Sequence, residues 1–202
     1  MYIDKTLKEY FDDLAAKKAA PGGGSASAAV AATGTSLMSM VANFTIGKPE
    51  YKDVETKVIG LLSEIRKLDS RLRSLIDEDV SAYEKLAEAL KGAPKDEAAL
   101  EAFYKGALKP PFAVCEITGI CMKLCRALAE CGNRNLVTDT AIAAILFEAA
   151  FFSAKFNVYI NLKYIRDTDY IAGIHRDVTA LEESMPKLKE EILDMCEDVL
   201  SL

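Results

Sequence analysis

The sequence is poor in the residues that most often carry metal and nucleophilic chemistry. Across 202 residues there is one histidine, His175, and no tryptophan. A single imidazole leaves no convincing Ser-His-Asp or Cys-His constellation and argues against a zinc or haem site. Four of the five cysteines, Cys115, Cys121, Cys125 and Cys131, lie close together in sequence. At about 100° per residue only Cys121 and Cys125 share a helix face, so the four cannot build one tetrahedral site on one helix. They read as reduced, mostly buried core residues. Positive charge is also in deficit, with 25 Lys plus Arg against 31 Asp plus Glu and a net charge of −6. That is the wrong sign for a non-specific nucleic-acid binder, and no basic membrane-surface helix is present. The N-terminal MYIDKTLKEYFDD is charged and lacks the apolar core of a signal peptide, which points to the cytoplasm.

Glycine and proline, at 11 and 6, are too few for a low-complexity chain, and 50% hydrophobic residues are too many for disorder. Strand signals are almost missing, whereas helical periodicity runs nearly throughout. The spacing predicts helices over about 4–18, 25–45, 51–91, 96–130, 139–166 and 175–200. Ser25 is the expected N-cap of the second, Gly92 and Pro94 end the third, and Pro110-Pro111 should kink or split the fourth. Residues 132–137 form a loop. Residues 26–46 carry no charge and are long enough to span a bilayer, but most are Ala, Ser, Thr, Gly or Asn, so a centrally buried helix is the better reading. The expectation is one all-α domain over residues 1–202, made of long antiparallel helices.

Two irregularities stand out. Leu61, Ile65, Leu68, Leu72, Leu75, Asp79, Tyr83, Leu86 and Leu90 follow the 3- and 4-residue steps of a buried stripe, in which Asp79 is the single charge. A carboxylate there pairs with a partner such as Arg66 or Arg71, caps another element, or faces a polar pocket. On the 139–166 helix, Asn157 and Asn161 sit one turn apart on a face shared with Leu146, Ala150, Ser153 and Tyr164. Their amides either satisfy backbone groups between helices or offer a hydrogen-bonding edge to a planar heterocycle. Asp139 falls in the first turn of that helix, where it also favours the helix dipole. Small residues recurring every fourth position from Ser25 to Ser36 make a low ridge for close helix packing. Gly22, Gly23 and Gly24 before it can present backbone amides to an anion, although no phosphate-loop sequence follows.

Taken together, four blocks carry a resemblance. Residues 20–51 (APGGGSASAAVAATGTSLMSMVANFTIGKPEY), 79–86 (DVSAYEKL), 132–144 (GNRNLVTDTAIAA) and 157–167 (NVYINLKYIRD) resemble, in this order, the cyclodeaminase/methenyltetrahydrofolate cyclohydrolase family. The resemblance implies an all-helical subunit that works as a homodimer and binds a folate, with or without a polyglutamate tail, in a cleft near the subunit interface. It implies no metal or redox cofactor. The implied reaction is hydrolysis of 5,10-methenyltetrahydrofolate to 10-formyltetrahydrofolate. The alternative is cyclodeaminase closure of 5-formiminotetrahydrofolate with loss of ammonia, and an alternative of another class is a non-catalytic helical interaction protein.

The chemistry needs water delivered to an electrophilic amidinium carbon, a base for its proton, and protonation of N5. Asp79 and Asp139 are the two candidates for the base. Lys48 matches a family lysine and is the candidate for orienting water or neutralising an oxyanion. Asn43, Asn133, Asn135, Asn157 and Asn161 are assigned to the pterin or the one-carbon oxygen, and Gly22, Gly23, Gly24 and Ser25 to backbone donation. Lys48, Lys52, Arg134, Lys155 and Lys163 are the cations available to an anionic glutamate tail.

Overall fold

Helical periodicity resolves into six α-helices in the computed structural model, which describes residues 1–92 and 97–201. These are α1 (Leu7–Ala15), α2 (Gly23–Asn43), α3 (Glu55–Lys91), α4 (Glu97–Cys131), α5 (Val137–Leu162) and α6 (Thr168–Leu200). Short 3-10 turns at Tyr2–Asp4, Pro49–Tyr51 and Arg134–Leu136 occupy the joints, and no strand occurs among the described residues.

Side-chain pairs fix how the helices run. Ser25–Asp79 and Thr35–Asp69 step in opposite directions along α2 and α3, so these two are antiparallel. Cys115–Phe151 and Cys125–Thr140 set the same relation for α4 and α5. Lys155–Glu182 and Lys189–Glu148 set it for α5 and α6. On α2 and α5, Gly23 faces Asn157 and Gly34 faces Phe147, again antiparallel. At Gly34 an added Cβ would lie 2.7 Å from the Phe147 ring, so only a glycine lets α2 and α5 close to this distance. Met38, Ile65, Leu72, Met122, Phe147 and Phe151 are all fully buried between the helices. Each contributes roughly 1.5–3 kcal/mol by leaving water. All five cysteines are free and buried, and desolvation pushes the Cys115 and Cys121 thiols up to about 12. They are packing groups, as expected.

Several boundaries differ from the periodicity, each for a local reason. The first helix does not start at residue 4. Thr6 and Glu9 form a reciprocal capping box that starts α1 at Leu7. Ser25 is not an N-cap: α2 begins at Gly23 with Gly22 as its cap, which leaves Ser25 inside the first turn. Pro110-Pro111 do not split the fourth helix, because flanking turns packed on α3, α5 and α6 keep α4 continuous for 35 residues. The last helix starts at Thr168 rather than 175, since the Asp167 carboxylate accepts the Tyr170 amide hydrogen at 3.0 Å and Gly173 is carried within the helix. The stop assigned to Pro94 lies outside the described residues.

Among the described residues two stretches, Gly23–Asn43 and Arg134–Leu162, are long and apolar enough to cross a membrane by length and composition. Helix α2 lies between α3 and α5 with Ala28, Ala31, Met38 and Val41 fully buried, which is the burial of a core helix. Helix α5 differs. One side is core, while Ile142, Ile145, Phe156 and Ile160 face outward.

Candidate functional site

The N-terminus of α2, the C-terminal third of α3 and the C-terminal half of α5 converge on one cleft of about 380 Å³. Gly22, Gly23 and Gly24 form its floor, Asp79 and Tyr83 come from α3, and Asn157, Ile160 and Asn161 come from α5. Tyr104 and Ala107 of α4 and Tyr164, just beyond α5, close the far side. Two of the three glycines meet the walls closely, whereas an added Cβ at Gly22 would meet nothing within 4 Å. An added Cβ at Gly24 would lie 2.7 Å from Asp79 Oδ2 and nearer still to Oδ1, and one at Gly23 would lie 3.2 Å from Asn157 Nδ2.

Asp79 sits where the apolar stripe of α3 surfaces. Before it Leu72 and Leu75 are fully buried, while after it Tyr83, Leu86 and Leu90 line the cleft, Tyr83 and Leu90 exposed and Leu86 buried between them. Among the described residues the carboxylate has no cationic partner. Arg66 bonds Asn43, and Arg71 pairs with Glu78. Instead, Asp79 Oδ2 accepts the Ser25 backbone amide hydrogen at 2.9 Å and so caps α2 from the neighbouring helix. Burial pushes the carboxyl up to about 6, against the opposing pull of that hydrogen bond. Near neutral pH such a group both accepts and returns a proton.

The two amides of α5 are partly satisfied by their own helix. Asn157 Nδ2 donates to the Ser153 carbonyl at 3.1 Å, and Asn161 Nδ2 donates to the Asn157 carbonyl at 2.8 Å. Each keeps a side-chain oxygen and a second N–H for a ligand, since no further bond to them occurs among the described residues. The rings of Tyr104 and Tyr164 stack at 4.6 Å between centroids and 16° between planes. Sequence periodicity supplied Tyr164 but not Tyr104, whose helix comes to the cleft only through tertiary packing. A larger hollow of about 640 Å³ beside Met1 and Ile3 is lined by charged groups with partners of their own, Arg73 with Asp69 and Asp77 with the Tyr2 and Ile3 amides.

The sequence-derived residues therefore divide into two groups. Gly22, Gly23, Gly24, Asp79, Asn157 and Asn161 meet in the cleft. Ser25 does not line it, since its side chain is fully buried and hydrogen-bonded to Tyr10 at 3.1 Å. Asn43, Lys48, Asn133, Asn135 and Asp139 gather at the opposite end of α2 and α5. At 1.5 Å per residue the length of α2 separates the two groups by roughly 30 Å within one chain. Asn133 there is a structural knot. Its backbone amide donates to Thr45 Oγ1 at 2.9 Å, its Nδ2 to the Phe44 carbonyl at 2.8 Å, and its Oδ1 accepts from the Asn135 amide at 3.0 Å. Of the proposed tail cations, Lys155 is buried against Glu182, and Lys163 stands closest to the cleft, beside Tyr164.

Known proteins match this chain along nearly its whole length. The family described as formiminotransferase-cyclodeaminase matches residues 6–180. A methenyltetrahydrofolate cyclohydrolase of Methylorubrum extorquens is 32% identical over 198 residues, covering 95% of each chain. The formimidoyltransferase-cyclodeaminase of Mus musculus is 32% identical over 186 residues, which are 89% of this chain and 34% of the mouse protein. The chain thus spans about a third of that animal relative. A crystal structure of formiminotetrahydrofolate cyclodeaminase from Thermotoga maritima superposes with a TM-score of 0.93 at 32% identity, covering 99% of this chain and all of that one. The likeness that the four sequence blocks carried is one of descent, and the chain belongs to the formiminotransferase-cyclodeaminase family.

Proposed function

We propose that this protein is a methenyltetrahydrofolate cyclohydrolase, opening 5,10-methenyltetrahydrofolate with water to give 10-formyltetrahydrofolate. The observation that carries the reading is Asp79, a carboxylate with no cationic partner among the described residues, on the wall of a cleft that also holds two amides. The 32% identity to the Methylorubrum extorquens cyclohydrolase supports it. The substrate's bridging carbon belongs to an amidinium cation and needs no metal or redox cofactor to be electrophilic. Asp79 stabilises that cation and takes a proton from the attacking water as the C–O bond forms. It then returns the proton to N5 as the C–N5 bond breaks, and the net reaction releases one proton. Asn157 and Asn161 hold the pterin edge, and Tyr104 and Tyr164 pack against the aminobenzoyl ring. Lys163 is the nearest cation for the glutamate tail.

The same cleft suits formiminotetrahydrofolate, and the Thermotoga maritima relative favours that second reading. Loss of the methenyl absorbance band, corrected for spontaneous hydrolysis, tests the first. Ammonia release from 5-formiminotetrahydrofolate tests the second. Failure of both would make the protein a non-catalytic helical module.

We further propose a homodimer. Ile142, Ile145, Ala149, Ser153, Phe156 and Ile160 follow helical steps along the outer side of α5 with no charge among them, and Phe156 is 70% exposed. Val30 and Leu37 of α2 pack half-buried against the core, Met40 is half-buried, and Phe44 is exposed beyond them. A second copy of this chain fits such a face because an uncharged stripe is complementary to itself across a two-fold axis. Ile160 belongs both to the stripe and to the cleft, which puts the cleft beside the interface. Sedimentation should give a dimer mass, and Phe156→Asp should give a folded monomer. Five free thiols favour a reducing compartment such as the cytoplasm.

A further inference from the structure

We propose that Tyr10 is a positioning residue for Asp79, acting through Ser25. Tyr10 stands on α1, 69 positions from Asp79 in sequence, and does not line the cleft. Its side chain is buried, and its hydroxyl bonds the fully buried Ser25 Oγ at 3.1 Å. The same Ser25 presents its backbone amide to Asp79 Oδ2 at 2.9 Å. A three-residue chain therefore runs from the N-terminal helix to the carboxylate.

The segment bearing Tyr10 is anchored from more than one side. The Asp77 carboxylate, two residues before Asp79 on α3, accepts the Tyr2 and Ile3 amides, and the Tyr2 ring meets the Tyr10 ring edge-on at 5.6 Å. The first turn of α2 has no side-chain cap of its own, and the cap residue is Gly22. Without a tether its amides are free to swing. The Tyr10–Ser25 bond supplies that tether and aims one of them at the carboxylate.

The groups facing Asp79 leave little else to tune it. From α1 comes Tyr10, from α2 the Ser25 amide, and from α5 the neutral Asn157 and Asn161. Tyr83, Tyr104 and Tyr164 contribute phenols, Asp77 is turned to the Tyr2 and Ile3 amides, and no lysine or arginine among the described residues lines the cleft. Since the Ser25 amide bonds the ionised form best, slackening it makes Asp79 hold its proton to higher pH.

The inference rests on the role given to Asp79 above, yet its test needs no substrate. In protein labelled with carboxyl-13C aspartate, the Asp79 resonance is assigned by its loss in Asp79→Asn and titrated. Tyr10→Phe, which keeps the ring, should raise the midpoint by about half a pH unit or more, a threefold gain in proton affinity. Ser25→Ala should do the same, and the double variant should add nothing further. Tyr2→Phe removes the nearby Tyr2–Asp13 bond and should leave the midpoint in place. An unmoved midpoint in Tyr10→Phe overturns the inference, as does an equal shift in Tyr2→Phe. Should Tyr10→Phe not fold, Ser25→Ala decides alone. A failed folate assay would sink the function without touching this titration.

Discussion

Asp79 and Ser25 meet at 2.9 Å across two helices, the carboxylate of α3 accepting an amide hydrogen from the first turn of α2. The contact links fold to chemistry. Helix α2 begins at a glycine cap with no side-chain partner, so its dipole and free amides are left to a neighbour. The neighbour is a carboxylate drawn partly out of water. Desolvation outweighs the hydrogen bond, and the group titrates near 6 instead of the usual 3.8.

Asp79→Asn should therefore abolish turnover and stabilise the protein. The amide still accepts from Ser25 but takes no proton, and a loss of at least 100-fold in kcat is expected. In the wild type the folded-state pKa lies above the unfolded one. Stability from this group is fully present below about pH 4 and is lost as pH rises through about 6. At pH 8 the neutral variant escapes a cost of up to about 3 kcal/mol. Thermal unfolding should show a higher Tm for the variant at pH 8 and no gain at pH 4.

The pH profile of kcat should carry the same group. Rate should climb roughly tenfold per unit below about pH 6 and level above it, because the ionised carboxylate takes the water's proton. Initial rates between pH 4.5 and 8, corrected for uncatalysed hydrolysis, check this. A limb that survives in Asp79→Glu at a shifted midpoint would tie it to this position.

Neighbouring glycines should respond very differently to alanine. At Gly24 a methyl group overlaps the Asp79 carboxyl, so Gly24→Ala should both lower Tm and cut activity at least tenfold. At Gly22 nothing lies within 4 Å of the added carbon and the backbone is extended, so Gly22→Ala should fold normally and cost at most about 1 kcal/mol of cap preference. Gly23→Val, pressing on Asn157, should fall between them in stability and raise KM. Melting curves and steady-state kinetics on the three proteins order the effects.

Legibility in the sequence followed the range of each interaction. Helix identity was readable because 3.6-residue periodicity is local, and the Asp79 anomaly was readable because it broke that period. Helix starts set by distant partners were not. Ser25 resembles an N-cap until α3 is seen to supply the carboxylate, and Pro110-Pro111 resemble a break until neighbouring helices are seen packed along an α4 that continues through them. Tyr10 and Tyr104 carried no pattern at all, since the place of Tyr10 behind Ser25 and of Tyr104 at the cleft arise from packing between segments far apart in sequence. The family blocks brought in Lys48 and Asp139 beside Asp79, but nothing in their order along the chain told which of them shared a cleft.

That separation yields a prediction that the single chain alone does not suggest. Asp139 and Lys48 lie roughly 30 Å from Asp79 along α2 and α5, so neither acts at the Asp79 cleft of its own subunit. In a dimer packed antiparallel across the uncharged face of α5, one subunit's Asp139 end overlies the other's cleft. If the family roles of Asp139 and Lys48 hold, they are exercised across the interface. Asp79→Asn and Asp139→Ala should then each be nearly inactive as homodimers. Mixed and allowed to exchange subunits, they should form heterodimers in which one cleft carries both changes and the other carries neither. Random pairing makes half the dimers mixed, each with one intact site, so about a quarter of wild-type activity should return. Activity measured before and after exchange reads this directly. A fully active Asp139→Ala would remove Asp139 from the mechanism, and two inactive variants that exchange subunits but never complement would overturn the shared site.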